Sequence, residues 1–237
     1  MVIYKISYSK QFKRANIHNY GCNFNCAWCS YKLQKRSKPN KFLKLDKIKK
    51  ILSKLDIERV HFVGGELSTY PLLNEVAEFV KKELGLYTKI GHSNGYVIPN
   101  EYIDAISVSI KSLSDDFYIK HTGKSNKPVL ENFKEAYKMG IKVDASTVYI
   151  PNLVEHDEIE KIVKFIAQID PKIPYHITGY IPVPGAPWRA PSWNEISKAK
   201  NIAEEYLDFV EVSWFHSFDD YLKMVNENPH YQKVTVA

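Results

Sequence analysis

Cysteine is scarce in this chain and confined to one short stretch: Cys22, Cys26 and Cys29, with none elsewhere. That count argues against a disulfide framework, which would leave one thiol over and requires an oxidising compartment. It also excludes a four-thiolate metal site, because a fourth cysteine does not exist. No apolar run approaches the roughly 20 residues of a membrane-spanning helix. The opening MVIYKISYSKQFKR has neither the apolar block nor the small-residue cleavage site of a secretory signal. A cytoplasmic protein with no membrane partner is therefore expected. Repeats, low-complexity segments and Gly/Ser linkers are missing too, so a single domain over residues 1–237 is expected, with its core at about 14–214 and a C-terminal helix and tail at 215–237.

What is present is ordinary in bulk and unusual in detail. Hydrophobic residues at 44% and charged residues at 25% allow a core without staples. The formal net charge is +6, and positive residues crowd Lys32–Lys50, KLQKRSKPNKFLKLDKIKK. Two readings of that segment stand: a solvated loop and helix face, or a docking surface for an acidic protein, a nucleotide or a nucleic acid.

Strand-like and helix-like segments alternate along the chain. Strands are expected at Asn16–Tyr20, Arg59–Val63, Tyr87–His92, Ala105–Ile110, Ile141–Ile150, Tyr175–Ile181 and Phe209–Trp214. Between them, helical spacing predicts helices at Leu45–Leu55, after Ser68 or Thr69 with Pro71 in the first turn, at Asp115–His121, Leu130–Met139, Glu155–Ile169 and Trp193–Tyr206, and a short one at the end. About six or seven β–α units imply a parallel sheet, a partial (β/α)6-type barrel with the cysteine loop after the first strand. The unusual residues follow strands: the cysteines, Gly64-Gly65-Glu66, Asn94-Gly95 and Lys111, with His176 on a strand. In parallel α/β architecture that edge is where sites are built.

The cysteines read YGCNFNCAWCSYK, with spacing C-x-x-x-C-x-x-C. Three thiolates within eight residues suit one inorganic cluster, and a 4Fe–4S cluster so held keeps one iron free for a ligand. The rival is a zinc site completed by His18 or His92.

With Trp28 as the aromatic, C-x-x-x-C-x-aromatic-C resembles the signature of the radical S-adenosylmethionine enzymes. The resemblance implies that Cys22, Cys26 and Cys29 hold the cluster, that S-adenosylmethionine binds its unique iron, and that Trp28 packs near the adenine. It further implies reductive cleavage to methionine and a 5′-deoxyadenosyl radical, which abstracts hydrogen. VGGE, at Val63–Glu66, is similar to the Gly-Gly-Glu-Pro motif of that superfamily and implies that Gly64, Gly65 and Glu66 contact the cofactor.

A narrower resemblance is to the activating enzymes of glycyl-radical enzymes. GHSNGYV (Gly91–Val97), SVSIKSLSDDFYIKHTG (Ser107–Gly123) and PYHITG (Pro174–Gly179) are similar to its segments. By that resemblance His92, Asn94, Ser109, Lys111 and His176 line the S-adenosylmethionine site, with Lys111 and His176 closest to the chemistry. His92 and Ser109 stand where that branch has aspartates holding a monovalent cation, and the N-terminal Gly-Pro-Gly segment of the branch is missing. The implied partners are an electron donor such as flavodoxin or ferredoxin and a protein substrate. A small molecule or nucleotide is the alternative substrate, and a non-catalytic metal-binding module the distant one. A monomer is expected, and nucleic acid stays open as a partner. Trp188 and Arg189, in a Pro-rich loop, are read either as rim packing or as substrate contacts.

Overall fold

The computed structural model describes residues 1–33 and 38–237. Part of the expected basic segment, residues 34–37, lies outside the described residues. Among the described residues one nine-stranded sheet organises the fold, in the order β8-β7-β6-β5-β4-β3-β2-β1-β9. Its strands are β1 (Val2–Ser9), β2 (Arg14–Tyr20), β3 (Arg59–Val63), β4 (Tyr87–Ser93), β5 (Ala105–Ser109), β6 (Lys142–Tyr149), β7 (Tyr175–Gly179), β8 (Val210–Ser213) and β9 (Val234–Thr235). From β2 to β8 every neighbouring pair is parallel, and β1 pairs antiparallel with both β2 and β9. Parallel strands laid down in chain order build an open, partial barrel.

The helices are α1 (Leu45–Leu52), α2 (Leu73–Lys82), α3 (Asp115–Thr122), α4 (Lys127–Lys138), α5 (His156–Ala167), α6 (Trp193–Glu204) and α7 (Phe218–Glu227). Alternate strand residues such as Val60, Phe62, Ile90, Ile106 and Val108 are almost fully buried, in one core with Val76 and Val80 of α2, Phe133 of α4 and Ile162 of α5. At about 25 cal/mol per Å² of apolar surface, each such side chain contributes roughly 1.5–3 kcal/mol. Among the described residues no helix is long and apolar enough to cross a membrane.

The other strand residues make the inner face, and most of them are polar, with Val63, Tyr87, Ala105 and Val148 as the exceptions. Following the register, that face carries Arg14 and Asn16 on β2, Arg59 and His61 on β3, Lys89 on β4, Ser107 and Ser109 on β5, Asp144 and Ser146 on β6, and His176 on β7. A closed α/β barrel fills its interior with branched apolar side chains. This one leaves an inner wall suited to water or a polar ligand.

The structure differs from the sequence-based expectation in three places. The cysteine loop follows β2, the first strand of the parallel run, while β1 precedes it. Buried Ile3 and Ile6 of β1 are three residues apart, which breaks the two-residue alternation of a strand, and an irregularity between Ile3 and Lys5 repairs the pairing. The expected cap at Ser68 or Thr69 belongs instead to a short 3-10 turn, Leu67–Thr69, capped by Glu66. Pro71 stands outside α2, which starts two residues later.

Candidate functional site

Gly21, with φ of 107°, turns the chain out of β2 into the cysteine loop, a conformation that favours glycine. Two buried aromatics then fasten that loop. Phe24 packs edge-on against Tyr96 and Tyr118, at 5.6 and 6.2 Å between ring centroids. Trp28 packs against Phe117, His121 and Trp188 at 5.8–6.2 Å. Backbone bonds from Asn25 to the Thr122 carbonyl (2.9 Å) and from Ala27 to the His121 carbonyl (3.2 Å) dock the loop on the end of α3. The cysteines are thereby held at the rim, Cys22 exposed and Cys26 and Cys29 half-buried.

Burial pushes the Cys22 and Cys26 thiols up, and the Lys111 ammonium pulls against it. The thiols sense one another electrostatically, yet among the described residues no three His, Cys, Asp or Glu side chains converge on one ion position. Three thiols in one loop, with no fourth cysteine in the sequence, are a donor set that fits a 4Fe–4S cluster with one iron left open. His18, one proposed fourth zinc ligand, has its Nε2 2.8 Å from Ser7 Oγ.

The Gly64-Gly65 turn is pressed against the start of this loop. Gly64 and Gly65 have φ of 88° and 52°, and a Cβ on Gly65 would sit 2.0 Å from the Gly21 carbonyl oxygen. The Gly21 carbonyl accepts from Glu66 N (2.9 Å) and Asn19 Nδ2 (3.0 Å), and Gly65 N donates to the Tyr31 hydroxyl (3.1 Å). Only glycine permits so close a backbone approach.

Glu66, 1% exposed, accepts from Ser68 N (3.1 Å), Ser68 Oγ (2.7 Å), Ser93 Oγ (2.8 Å) and Asn94 N. Its carboxylate thus meets protein donors and ties the Ser93–Gly95 turn to the end of β3. Asn94 Nδ2 then reaches Asn23 Oδ1 at 2.7 Å and Cys22 Sγ at 3.7 Å, tying that turn to the first cysteine.

Lys111 is 8% exposed, which removes the reading of a solvated strand-end lysine. Its Nζ donates to the Ser109 carbonyl at 2.9 Å and lies 5.4 Å from the centre of the Phe24 ring, while its backbone N–H donates to the Tyr118 hydroxyl at 3.0 Å.

Deeper on the inner face are His92 and His176. His92 has φ of 55° at a break in the β4–β5 register between Ile90 and Ser93. Such a bulge re-aims a side chain. Solvent reaches His92, yet it lies within a concave surface, and that crowding lowers its pKa, with His176 and Lys89 adding to the effect and Asp144 opposing it. His176 is half-buried, its Nε2 2.9 Å from Ser213 Oγ and its Nδ1 3.8 Å from Glu211 Oε2. Burial lowers its pKa too, against the pull of Glu211, so a neutral imidazole is favoured near pH 7.

The structure therefore gathers Cys22, Cys26, Cys29, Gly64, Gly65, Glu66, Asn94 and Lys111 at the rim and places His92, Ser109 and His176 on the wall below. Trp28, 6% exposed, offers a ligand no more than an edge. Trp188 joins its aromatic cluster, and Arg189 forms a two-pronged pair with Glu195 at 2.6 and 2.8 Å beside the α6 cap, so both favour the packing role. Asn23, Phe24, Tyr31 and Tyr118 are site residues that sequence reasoning missed. Phe24 alone carried a signal, an aromatic inside an otherwise polar turn.

Comparison with known proteins follows the same outline. Residues 16–166 match the model of the radical SAM superfamily. A Methanocaldococcus jannaschii protein provisionally named a glycyl-radical enzyme activating enzyme is 33% identical over 217 residues, 88% of this chain and 84% of that one. An S-adenosylmethionine-dependent nucleotide dehydratase of the Thermoplasmatales archaeon ISO4-H5 is 29% identical over 147 residues, 56% of this chain and 51% of that one. Among solved structures, Streptococcus suis SuiB bound to S-adenosylmethionine aligns with a TM-score of 0.63 at 17% identity, over 86% of this chain and 50% of that one. The match to the family model over residues 16–166, on a partial barrel with three cysteines at its rim, makes this chain a member of the radical SAM superfamily, whose cofactors are a cysteine-held 4Fe–4S cluster and S-adenosylmethionine.

Proposed function

We propose that Cys22, Cys26 and Cys29 are the cluster ligands, and that the Gly64-Gly65 turn, Asn94 and Lys111 form the adjoining wall of the S-adenosylmethionine site. When bound, the two cofactors supply a carbon radical that removes hydrogen from a substrate. The chain's own part is positioning. Lys111 provides a buried ammonium suited to a carboxylate, Asn94 has its backbone fixed by Glu66, and neutral His92 and His176 offer hydrogen bonds to hydroxyl or carboxylate groups. A one-electron donor such as flavodoxin or ferredoxin would approach the exposed Cys22 side.

The single observation carrying this reading is that Cys22 is tied through Asn94 to Glu66 and the Gly-Gly turn, which joins three separated motifs into one rim. Two readings of the substrate follow. The name of the 33% identical relative supports a protein substrate, as in an activating enzyme. The charged inner wall supports a small molecule, as does the nucleotide dehydratase.

Anaerobic reconstitution with iron and sulfide, then reduction with S-adenosylmethionine present, tests the proposal. Wild-type protein is expected to release 5′-deoxyadenosine, and Cys26→Ala none. One bound zinc and no cleavage in the wild type would overturn it.

A further inference from the structure

The base of the inner face is crowded with positive charge. Arg14 of β2 and Arg59 of β3 are register partners, and one step up the same face Asn16, His61 and Lys89 share a row across β2, β3 and β4. Side chains on one face two residues apart stand about 7 Å from each other along a strand. Arg14, Arg59, His61 and Lys89 therefore form one cationic patch on the wall of the barrel.

Few acceptors answer these donors. Among the described residues no carboxylate lies within 4 Å of Arg14; its Nη2 donates to the His230 carbonyl at 2.8 Å, and its buried Nε has no hydrogen-bond partner. Arg59, 48% exposed, reaches Glu58 only at 4.0 Å, and Glu58 also takes Lys13 at 3.2 Å. Lys89 is the exception, paired with Asp144 at 2.8 Å.

The electrostatic consequence shows at a neutral titratable group within the patch. His61 is driven to about 4, by burial first and then by Arg14, Lys89 and Arg59. The Lys233 ammonium is also pushed down, by burial and then by Arg14 and Lys5. Cations held together without matching anions raise each other's energy, and an entering anion relieves that cost.

We infer that the Arg14–Arg59–His61–Lys89 wall binds the anionic group, phosphate or carboxylate, of an elongate small-molecule substrate whose reacting carbon lies at the rim. The span is consistent: from Arg59 to Val63, at the end of β3, is about 13 Å at roughly 3.3 Å per residue. A nucleotide or similar polyanion bridges that distance. This inference rests on the reading above that the inner face receives the substrate. A polypeptide carrying the target hydrogen has no need of an anion site at that depth.

The test is calorimetric titration of the cluster-loaded protein under anaerobic conditions, with inorganic pyrophosphate and, separately, citrate at constant ionic strength. One-to-one binding of either anion is expected, weakened at least about tenfold in Arg59→Gln, a change at an exposed position that the fold tolerates, and likewise in His61→Gln. Lys47→Ala, on the exposed face of α1, should bind as the wild type does. Preference for pyrophosphate assigns the ligand as a phosphate and preference for citrate as a carboxylate. No binding to the wild type, or equal weakening in Lys47→Ala and Arg59→Gln, would overturn the inference. Anion binding without S-adenosylmethionine cleavage would uphold this site and sink the function proposed above; cleavage without anion binding would do the reverse.

Discussion

The rim and the inner wall of this barrel both carry polar groups, and they treat most of them differently, Asn19 Oδ1 at the rim and the Lys89–Asp144 and His176–Ser213 pairs on the wall being the exceptions. At the rim, Glu66 accepts from three protein residues, the Gly21 carbonyl accepts from two donors, and Lys111 is bound through both its backbone and its side chain. On the wall, Arg14 leaves a buried donor unanswered, Arg59 has only a distant carboxylate, and His92 faces solvent. A buried polar group costs free energy unless it is paired. Saturated groups are thus scaffold, fixing where the cysteines stand, and under-partnered groups are the ones left to meet a ligand.

The most severe way to break that contrast is at the closest contact of the rim. Gly65→Ala places a Cβ 2.0 Å from the Gly21 oxygen at a backbone φ of 52°. Strain and displacement together should cost at least about 3 kcal/mol. Urea unfolding should register this, and iron incorporation per chain should fall with it. Gly85→Ala, where φ is 66° but no atom lies within 4 Å of the new Cβ, is the control, expected at about 1 kcal/mol. Equal losses at the two positions would mean that the rim contact is not what positions the loop.

The wall is sharpened by acid. His61 has its pKa lowered to about 4 in the fold, against an ordinary 6.5 in the unfolded chain. The unfolded chain therefore takes a proton on this residue at a higher pH than the folded one does, and stability falls as pH drops from about 6.5 towards 4. The loss is on the order of 2 kcal/mol after allowance for partial solvent exposure. Unfolding midpoints measured between pH 7 and pH 4.5 should show that slope in the wild type and a flatter one in His61→Gln. Identical slopes would show that His61 is not held neutral by burial and its cationic neighbours.

A smaller effect is expected where one rim bond is removed and the packing kept. Tyr118→Phe deletes the acceptor of the Lys111 N–H at a site from which water is excluded. About 1–2 kcal/mol should be lost, with the thermal unfolding midpoint as readout. No change would place Lys111 under other control.

Much of the fold was legible because the helices are amphipathic and the parallel strands are apolar on the side facing them. β3 was delimited to the residue, and β4 to β8 to within one or two. β1 was not legible, since its pairing needs an irregularity that breaks its own alternation, and β9 is too short and exposed to leave a pattern. Within the site, the cysteines and the Gly-Gly-Glu turn were visible as motifs. The protein partners of Glu66 were not: its bonds to Ser93 and Asn94 exist only after β3 and β4 are brought together.

By itself the sequence determined the chemistry of the donors: three thiols at fixed spacing with no fourth, glycines where backbones must touch, and a partial barrel of alternating strands and helices. Local composition and periodicity set those features, and they need no long-range contact. Tertiary structure alone decided which polar groups are used up and which remain. Asn23 meets Asn94 across 71 positions, and Lys89 meets Asp144 across 55. Whether a charge is answered depends on which strands become neighbours, and parallel pairing puts those neighbours far apart in the chain. The unanswered cations of the inner wall, at Arg14 and Arg59, were plain in the sequence as letters and acquired their meaning only from that pairing.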